Sequence, residues 1–219
     1  MIDRKSYVIS SRWLRNYIND HCIVRDTVMK GKVPGKLYTW CFYCRRGLFN
    51  PEFNKHMTVC FLYKIEEEIG HFNFQLGGME TAATPMVTAI PIYAKQLLDL
   101  DIHSFVFRKQ PKEYAEEEPW EGIVKKNLPV LLCDDLANST ISLKKGSDIC
   151  RSYDIEKMQY AFVLVNKVNK NYDDMGLPED YYSKSDHEHR QSHDMYLDKS
   201  VKIISLFDMD EFNLKGASH

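Results

Sequence analysis

The chain has 219 residues, 44% of them hydrophobic and 27% charged, with a net charge of −2. This is the composition of a globular protein with one substantial core, and the near-neutral balance gives no reason to expect nonspecific attraction to nucleic acid. No apolar run approaches the roughly 18 residues that cross a bilayer, so no membrane partner is expected.

The opening stretch, MIDRKSYVISSRWLRNYI, has mixed charge and amphipathic spacing. It predicts a helix over 3–20 with Tyr7, Leu14, Tyr17 and Ile18 on one face, not a secretory leader, and the expected location is the cytoplasm. Residues 22–50 alternate short strand-like runs with Gly and Pro, as in KGKVPGKLYTWCFYCRRG. Cys41 and Cys44 form a C-x-x-C there with no second pair at zinc spacing, so packing is weighed against redox or metal work. The six cysteines are expected to be reduced thiols. Pro51 suits a first helical turn and opens a helix to about Ile69.

From there the pattern is regular. FNFQL reads as a strand, TPMVTAIPIYAKQLLDL as a helix containing Pro91, and SFVFR as a strand. The charged loop KQPKEYAEEEPWEG follows, long enough to suggest a functional lid. PVLLCDD is a strand, STISLKKGSDICRSY a helix and YAFVLVN a strand. Strands alternating with helices imply an α/β fold with a doubly wound, mainly parallel sheet. Residues 169–200 are polar and irregular, and VKIISLFDMDEF supplies a last strand with a helical end. The expected layout is one domain over 1–219. It has a mixed N-terminal hood and helices over about 1–70, a core over 71–168, an insertion over 169–200, and the final strand and helical end over 201–214.

Three stretches carry chemistry. LGGMETAATP, residues 76–85, joins a strand to a helix through two glycines. Such a turn leaves backbone N–H groups free to bind an anion, or it merely permits tight geometry. In FRKQPKEYAEEEPWEG, Arg108, Lys109 and Lys112 place three cations within five residues, suited to phosphate or simply to solvent. In VLLCDDLANSTISL, Asp134 and Asp135 follow a buried strand, where ligands bind in open α/β sheets. Adjacent carboxylates there suit a divalent metal or a sugar's hydroxyls; capping the next helix is the simpler alternative. His187, His189 and His193 in the insertion include one i, i+4 pair, read as a metal site or a solvated loop.

In this order and spacing, GGMETAATP, FVFRKQPKEYAEEEPWEG and VLLCDDLANSTISL resemble the type I phosphoribosyltransferases, most closely the orotate phosphoribosyltransferases. KGKVPGKLYTW and SLFDMDEF also look like that branch's substrate hood and last strand, so the resemblance spans nearly the whole chain outside the insertion. The resemblance implies displacement of pyrophosphate from phosphoribosyl pyrophosphate by a nucleobase nitrogen, with Mg2+ on the donor and a transition state like an oxocarbenium ion. It implies that Asp134 and Asp135 contact the ribose hydroxyls, offset the developing positive charge and hold the magnesium indirectly, through ribose or water. It assigns the 5′-phosphate to Asn138, Ser139, Thr140, Ile141 and Ser142, and the pyrophosphate-side turn to Gly78, Met79, Glu80 and Thr81. Arg108, Lys109 and Lys112 become a lid over the pyrophosphate that reaches a neighbouring subunit, hence a homodimer. Lys167 contacts the base.

Several positions depart from the family's pattern. Thr140 stands where the phosphate turn usually has glycine, Tyr114 and Ala115 where the lid often has histidine and glycine, and Asn166-Lys167 where the orotate branch commonly has Asp-Arg. At a position with φ > 0, a β-branched threonine costs on the order of 1–3 kcal/mol. These changes and the insertion also suit a sensor or effector that keeps the fold and binds a nucleotide or a nucleic-acid or protein partner without turnover. Another phosphoribosyl donor or acceptor is a third reading.

Overall fold

The computed structural model describes residues 1–30, 37–109, 118–137, 140–167, 197, 198, 200–212 and 214. Helix α1 spans Arg4–Tyr17, started by the Asp3 carboxylate, which accepts the Ser6 N–H at 2.9 Å. Its buried side, Ser10 and Leu14, continues through a π turn to Ile18 and packs on α3, Pro51–Glu68. Asn50 caps α3 by accepting the N–H groups of Glu52 and Phe53, and Pro51 occupies the first turn, where its missing N–H costs nothing. Between these helices, β1 (Ile23–Lys30) and β2 (Leu37–Phe42) form a separate antiparallel pair, followed by the short α2 (Arg45–Leu48).

The main sheet has six strands: β3 (Gln75–Met79), β4 (His103–Phe107), β5 (Trp120–Gly122), β6 (Val130–Ala137), β7 (Lys157–Asn166) and β8 (Lys202–Asp208). Their spatial order is β5-β4-β3-β6-β7-β8, all parallel except the edge strand β5. Helices α4 (Thr84–Leu98) and α5 (Ile141–Ser152) make the crossovers from β3 to β4 and from β6 to β7. Both faces of the sheet are covered. Leu131, Cys133, Phe162 and Leu164 belong to the core shared with α1, α3 and α4, while Val130, Leu132, Ala161 and Val163 belong to the core on the α5 side. Strict alternation between two dry faces is why these strands read as continuous apolar runs.

Two differences from the sequence reading have physical causes. The strand expected at FNFQL begins at Gln75 and runs through both glycines, which pair with β4 on one side and β6 on the other. They are strand residues because no side chain fits. A Cβ on Gly77 would lie 2.8 Å from Val130 Cγ1, and one on Gly78 would overlap the Ala83 methyl and sit 3.0 Å from the Cys133 carbonyl oxygen. The second difference is β5, three residues inside the expected loop, which exist as a strand only through antiparallel pairing with β4. The C-x-x-C is also not wholly in a strand: Cys41 is in β2, and Cys44 precedes α2.

Candidate functional site

The chain leaves β3 toward β4 on one side and returns to β6 on the other, so the carboxyl ends of β3 and β6 flank the point where strand order reverses. Open α/β sheets bind ligands in the crevice at such a point. Gly78 pairs with Cys133 across it, which sets Met79 and Asp134 at the mouth.

Asp134 is 7% exposed and accepts the Asp135 N–H at 2.9 Å, and the Ser142 hydroxyl donates to the same carboxylate. Burial, then the charge of Asp135, push its pKa up to about 7. Asp135 is also raised by burial, opposed by its hydrogen bond with Asp134 and by the Arg45 guanidinium reaching over from α2. The two carboxyls therefore titrate as one pair. Held side by side, Asp134 buried and Asp135 half-buried, they disfavour two bare charges.

The turn after β3 is compact. The Glu80 N–H donates to Phe107 O at 2.9 Å, the Glu80–Thr81 peptide is cis, and the Ala83 N–H returns to Met79 O at 3.2 Å as α4 begins. The Glu80 carboxylate accepts the Lys109 N–H at 2.6 Å, fastening this turn to the start of the cationic loop. Arg108 is engaged at that loop's base. Its Nε and Nη2 donate to one Glu121 carboxylate oxygen at 2.9 and 2.6 Å, and its Nη1 donates to the Glu118 carbonyl. Trp120 Nε1 donates to the Glu118 carboxylate at 3.0 Å. Both stems of the loop are thus held together. Lys112, Tyr114 and Ala115 lie outside the described residues.

After β6, Thr140 has φ 55°, the left-handed region that a β-branched side chain occupies only at a cost. Its Oγ1 accepts the N–H of Leu197 at 3.2 Å, and α5 starts at the next residue, Ile141. Asn138 and Ser139 lie outside the described residues. Lys167 follows β7, its N–H on Ala137 O at 2.8 Å and its ammonium 5.1 Å from the centre of the Trp40 ring. Burial lowers the Lys167 pKa, and no carboxylate pairs with it among the described residues. A half-buried cation resting on an indole, with no counter-ion among the described residues, has the chemistry to meet an anionic, planar ligand.

Sequence reasoning missed Trp40, Arg45 and Leu197, which come from distant segments, and it did not foresee that Glu121, at the end of the loop stretch, holds Arg108. An aromatic in a strand of the hood was the one signal available, for Trp40. The cysteines are all free; burial raises the thiol of Cys44, with a further push from Asp135. Among the described residues no group of three or more His, Cys, Asp or Glu is arranged to hold a metal. The insertion's histidines lie outside the described residues. The Asp134–Asp135 pair still fits magnesium as an indirect holder, because that ion keeps several waters and takes one or two carboxylates beside substrate phosphates. No described helix is long and apolar enough to cross a membrane.

No family model matches the chain. Over 138 residues it is 25% identical to an orotate phosphoribosyltransferase of Rhodopirellula baltica, covering 61% of this chain and 70% of that one. The Mycobacterium tuberculosis orotate phosphoribosyltransferase solved with Fe(III) dicitrate superposes with a TM-score of 0.66 at 14% identity, over 94% of this chain and 99% of that one. The same enzyme solved with 5-phospho-alpha-D-ribosyl 1-diphosphate gives 0.55 at 12% identity, over 97% and 94%. The chain has the type I phosphoribosyltransferase fold, and its sequence is similar to orotate phosphoribosyltransferases.

Proposed function

We propose that the protein is a phosphoribosyltransferase, moving the 5-phosphoribosyl group of phosphoribosyl pyrophosphate to an orotate-like pyrimidine and releasing pyrophosphate. The observation that carries this is the Asp134–Asp135 pair in the second half of β6, Asp134 buried and Asp135 half-buried, beside the Glu80 turn at the sheet's switch point.

In this reading the acceptor's nitrogen lone pair forms the new bond to C1 of ribose, while the bond from C1 to the pyrophosphate oxygen breaks. Positive charge grows on the sugar as negative charge grows on the leaving group. Asp134 and Asp135, as carboxylates, accept from the ribose hydroxyls and stabilise the positive charge that grows on the sugar. Fixed carboxylates in a dry site do this with little reorganisation. Asp134 and Asp135 would hold magnesium indirectly, and it would offset the charge of the donor's diphosphate.

The cationic loop takes the leaving side. Lys109 starts from a position set by Glu80, Lys112 follows three residues later, and Arg108 reaches pyrophosphate only by exchanging Glu121 for it. The turn that begins α5, from Asn138 to Ser142, receives the 5′-phosphate. Lys167 offers its ammonium to an acceptor carboxylate while Trp40 offers a face for the pyrimidine ring. We further place the protein in the cytoplasm as a homodimer, by its similarity to the orotate enzymes.

The test is pyrophosphate release from phosphoribosyl pyrophosphate with magnesium and a panel of purine and pyrimidine bases, orotate included. Release is expected with a carboxylated pyrimidine. Lys112→Ala is expected to slow it severely, and Asp134→Asn combined with Asp135→Asn to abolish it. Donor binding without release for any base would overturn the enzyme reading.

A further inference from the structure

Thr140 poses a problem that its surroundings resolve. It is buried, 8% exposed, and its backbone is left-handed at a point where a phosphate turn meets a helix. Glycine adopts that conformation freely; threonine does not. The one hydrogen bond recorded for its hydroxyl among the described residues comes from the backbone N–H of Leu197, on the strand-leading segment before β8. That segment is itself fixed. Leu197 and Val201 are buried in the core against α5, and the Asp198 carbonyl and carboxylate accept the N–H groups of Val201 and Ser200 at 2.9 Å each.

Resting on the phosphoribosyltransferase reading, we propose that the backbone amide of Leu197 is a positioning group for the phosphate turn. It holds Thr140 in the left-handed conformation that glycine would reach unaided. The freedom lost with the glycine is replaced by a tether from the residues before β8, which pack in the same core as α5. The turn's geometry then depends on the 197–201 segment, not on α5 alone.

Substitutions at 140 separate the tether from a merely structural hydroxyl. Thr140→Ser keeps the acceptor, Thr140→Val keeps the branch without it, and Thr140→Gly needs no tether. With phosphoribosyl pyrophosphate and magnesium as the probe, the Val variant is expected to bind at least tenfold more weakly than the Ser variant. Leu197→Pro, which deletes the N–H, is expected to weaken binding tenfold in the parent but not in the Thr140→Gly background. Leu197→Ala, which keeps the N–H, is the control for lost packing. A Val variant that binds as tightly as the Ser variant, or an equal loss from Leu197→Pro in both backgrounds, overturns the proposal. Amide hydrogen exchange at Leu197 gives a second readout that needs no ligand. Protection kept in the Ser variant and lost in the Val variant supports the tether, and protection unchanged in both overturns it. If the parent binds no donor, the proposed function fails while the exchange result still decides the tether.

Discussion

The Glu80 carboxylate accepts the backbone N–H of Lys109 at 2.6 Å, joining the turn after β3 to the first residue of the cationic loop. One charge-assisted hydrogen bond therefore couples the two stretches assigned to pyrophosphate. Glu80→Ala is expected to lower the rate of pyrophosphate release about tenfold, equivalent to roughly 1.4 kcal/mol. Glu80→Gln, which keeps an acceptor, is expected to lose less. Steady-state release with both variants checks this, and equal losses would show that the carboxylate acts by charge and not by holding Lys109.

The Asp134–Asp135 pair makes stability depend on pH in an unusual direction. The Asp134 pKa is raised from 3.8 to about 7 in the folded chain. The folded state therefore binds more protons across that window. The stability this confers is fully present below the unfolded value and is lost as pH rises through the folded one. Asp134→Asn keeps the shape and removes the charge. It is expected to stabilise the protein at pH 8 by on the order of 2 kcal/mol, while changing little at pH 3.5. Urea unfolding at the two pH values measures it; a variant less stable than the parent at pH 8 would contradict the assignment.

Lys167 should reveal itself on the acceptor side alone. Lys167→Met is expected to raise the KM for a carboxylated pyrimidine about tenfold, the scale of one hydrogen bond to a charged group, and to leave donor binding unchanged. Because burial depresses the Lys167 pKa, acceptor affinity in the parent should fall with rising pH before an ordinary lysine would deprotonate. A pH series of acceptor KM in parent and variant tests this, and parallel profiles would remove Lys167 from the site.

Gly78→Ala places a methyl group against Ala83 and the Cys133 carbonyl, with backbone on one side and a short side chain on the other. Neither can swing away. The expected cost is about 1–3 kcal/mol of stability, with reduced donor binding because the Glu80 turn begins two residues on. Thermal unfolding with and without donor separates the two effects.

Strands β6 and β7 were legible because their apolar runs face two cores at once, and the Asp134–Asp135 pair because adjacent carboxylates have few structural uses there; the strand, expected to end before them, runs through both to Ala137 because pairing with β7 continues to Asn166. Residues 77–79 were not legible as strand. Glycine pairs read as punctuation, and only the crowding of Val130, Phe105 and Phe107 around Gly77 shows that a strand required them. Strand β5 has too few residues for any period and exists through its pairing with β4. Arg108 carried the right chemistry, but its engagement with Glu121 across the loop base depends on that same pairing. The conformation of Thr140 could be posed as a question from sequence, while its answer lay at Leu197, beyond the long polar insertion.

Of the six thiols, five are buried and Cys41 alone is partly open, in β2 directly after Trp40. The natural chain thus carries a built-in labelling handle. A small thiol-reactive fluorophore is expected to enter at Cys41, beside the residue proposed to meet the acceptor ring, with no cysteine to remove or add. Its emission would then report directly when an acceptor ring settles on the neighbouring indole.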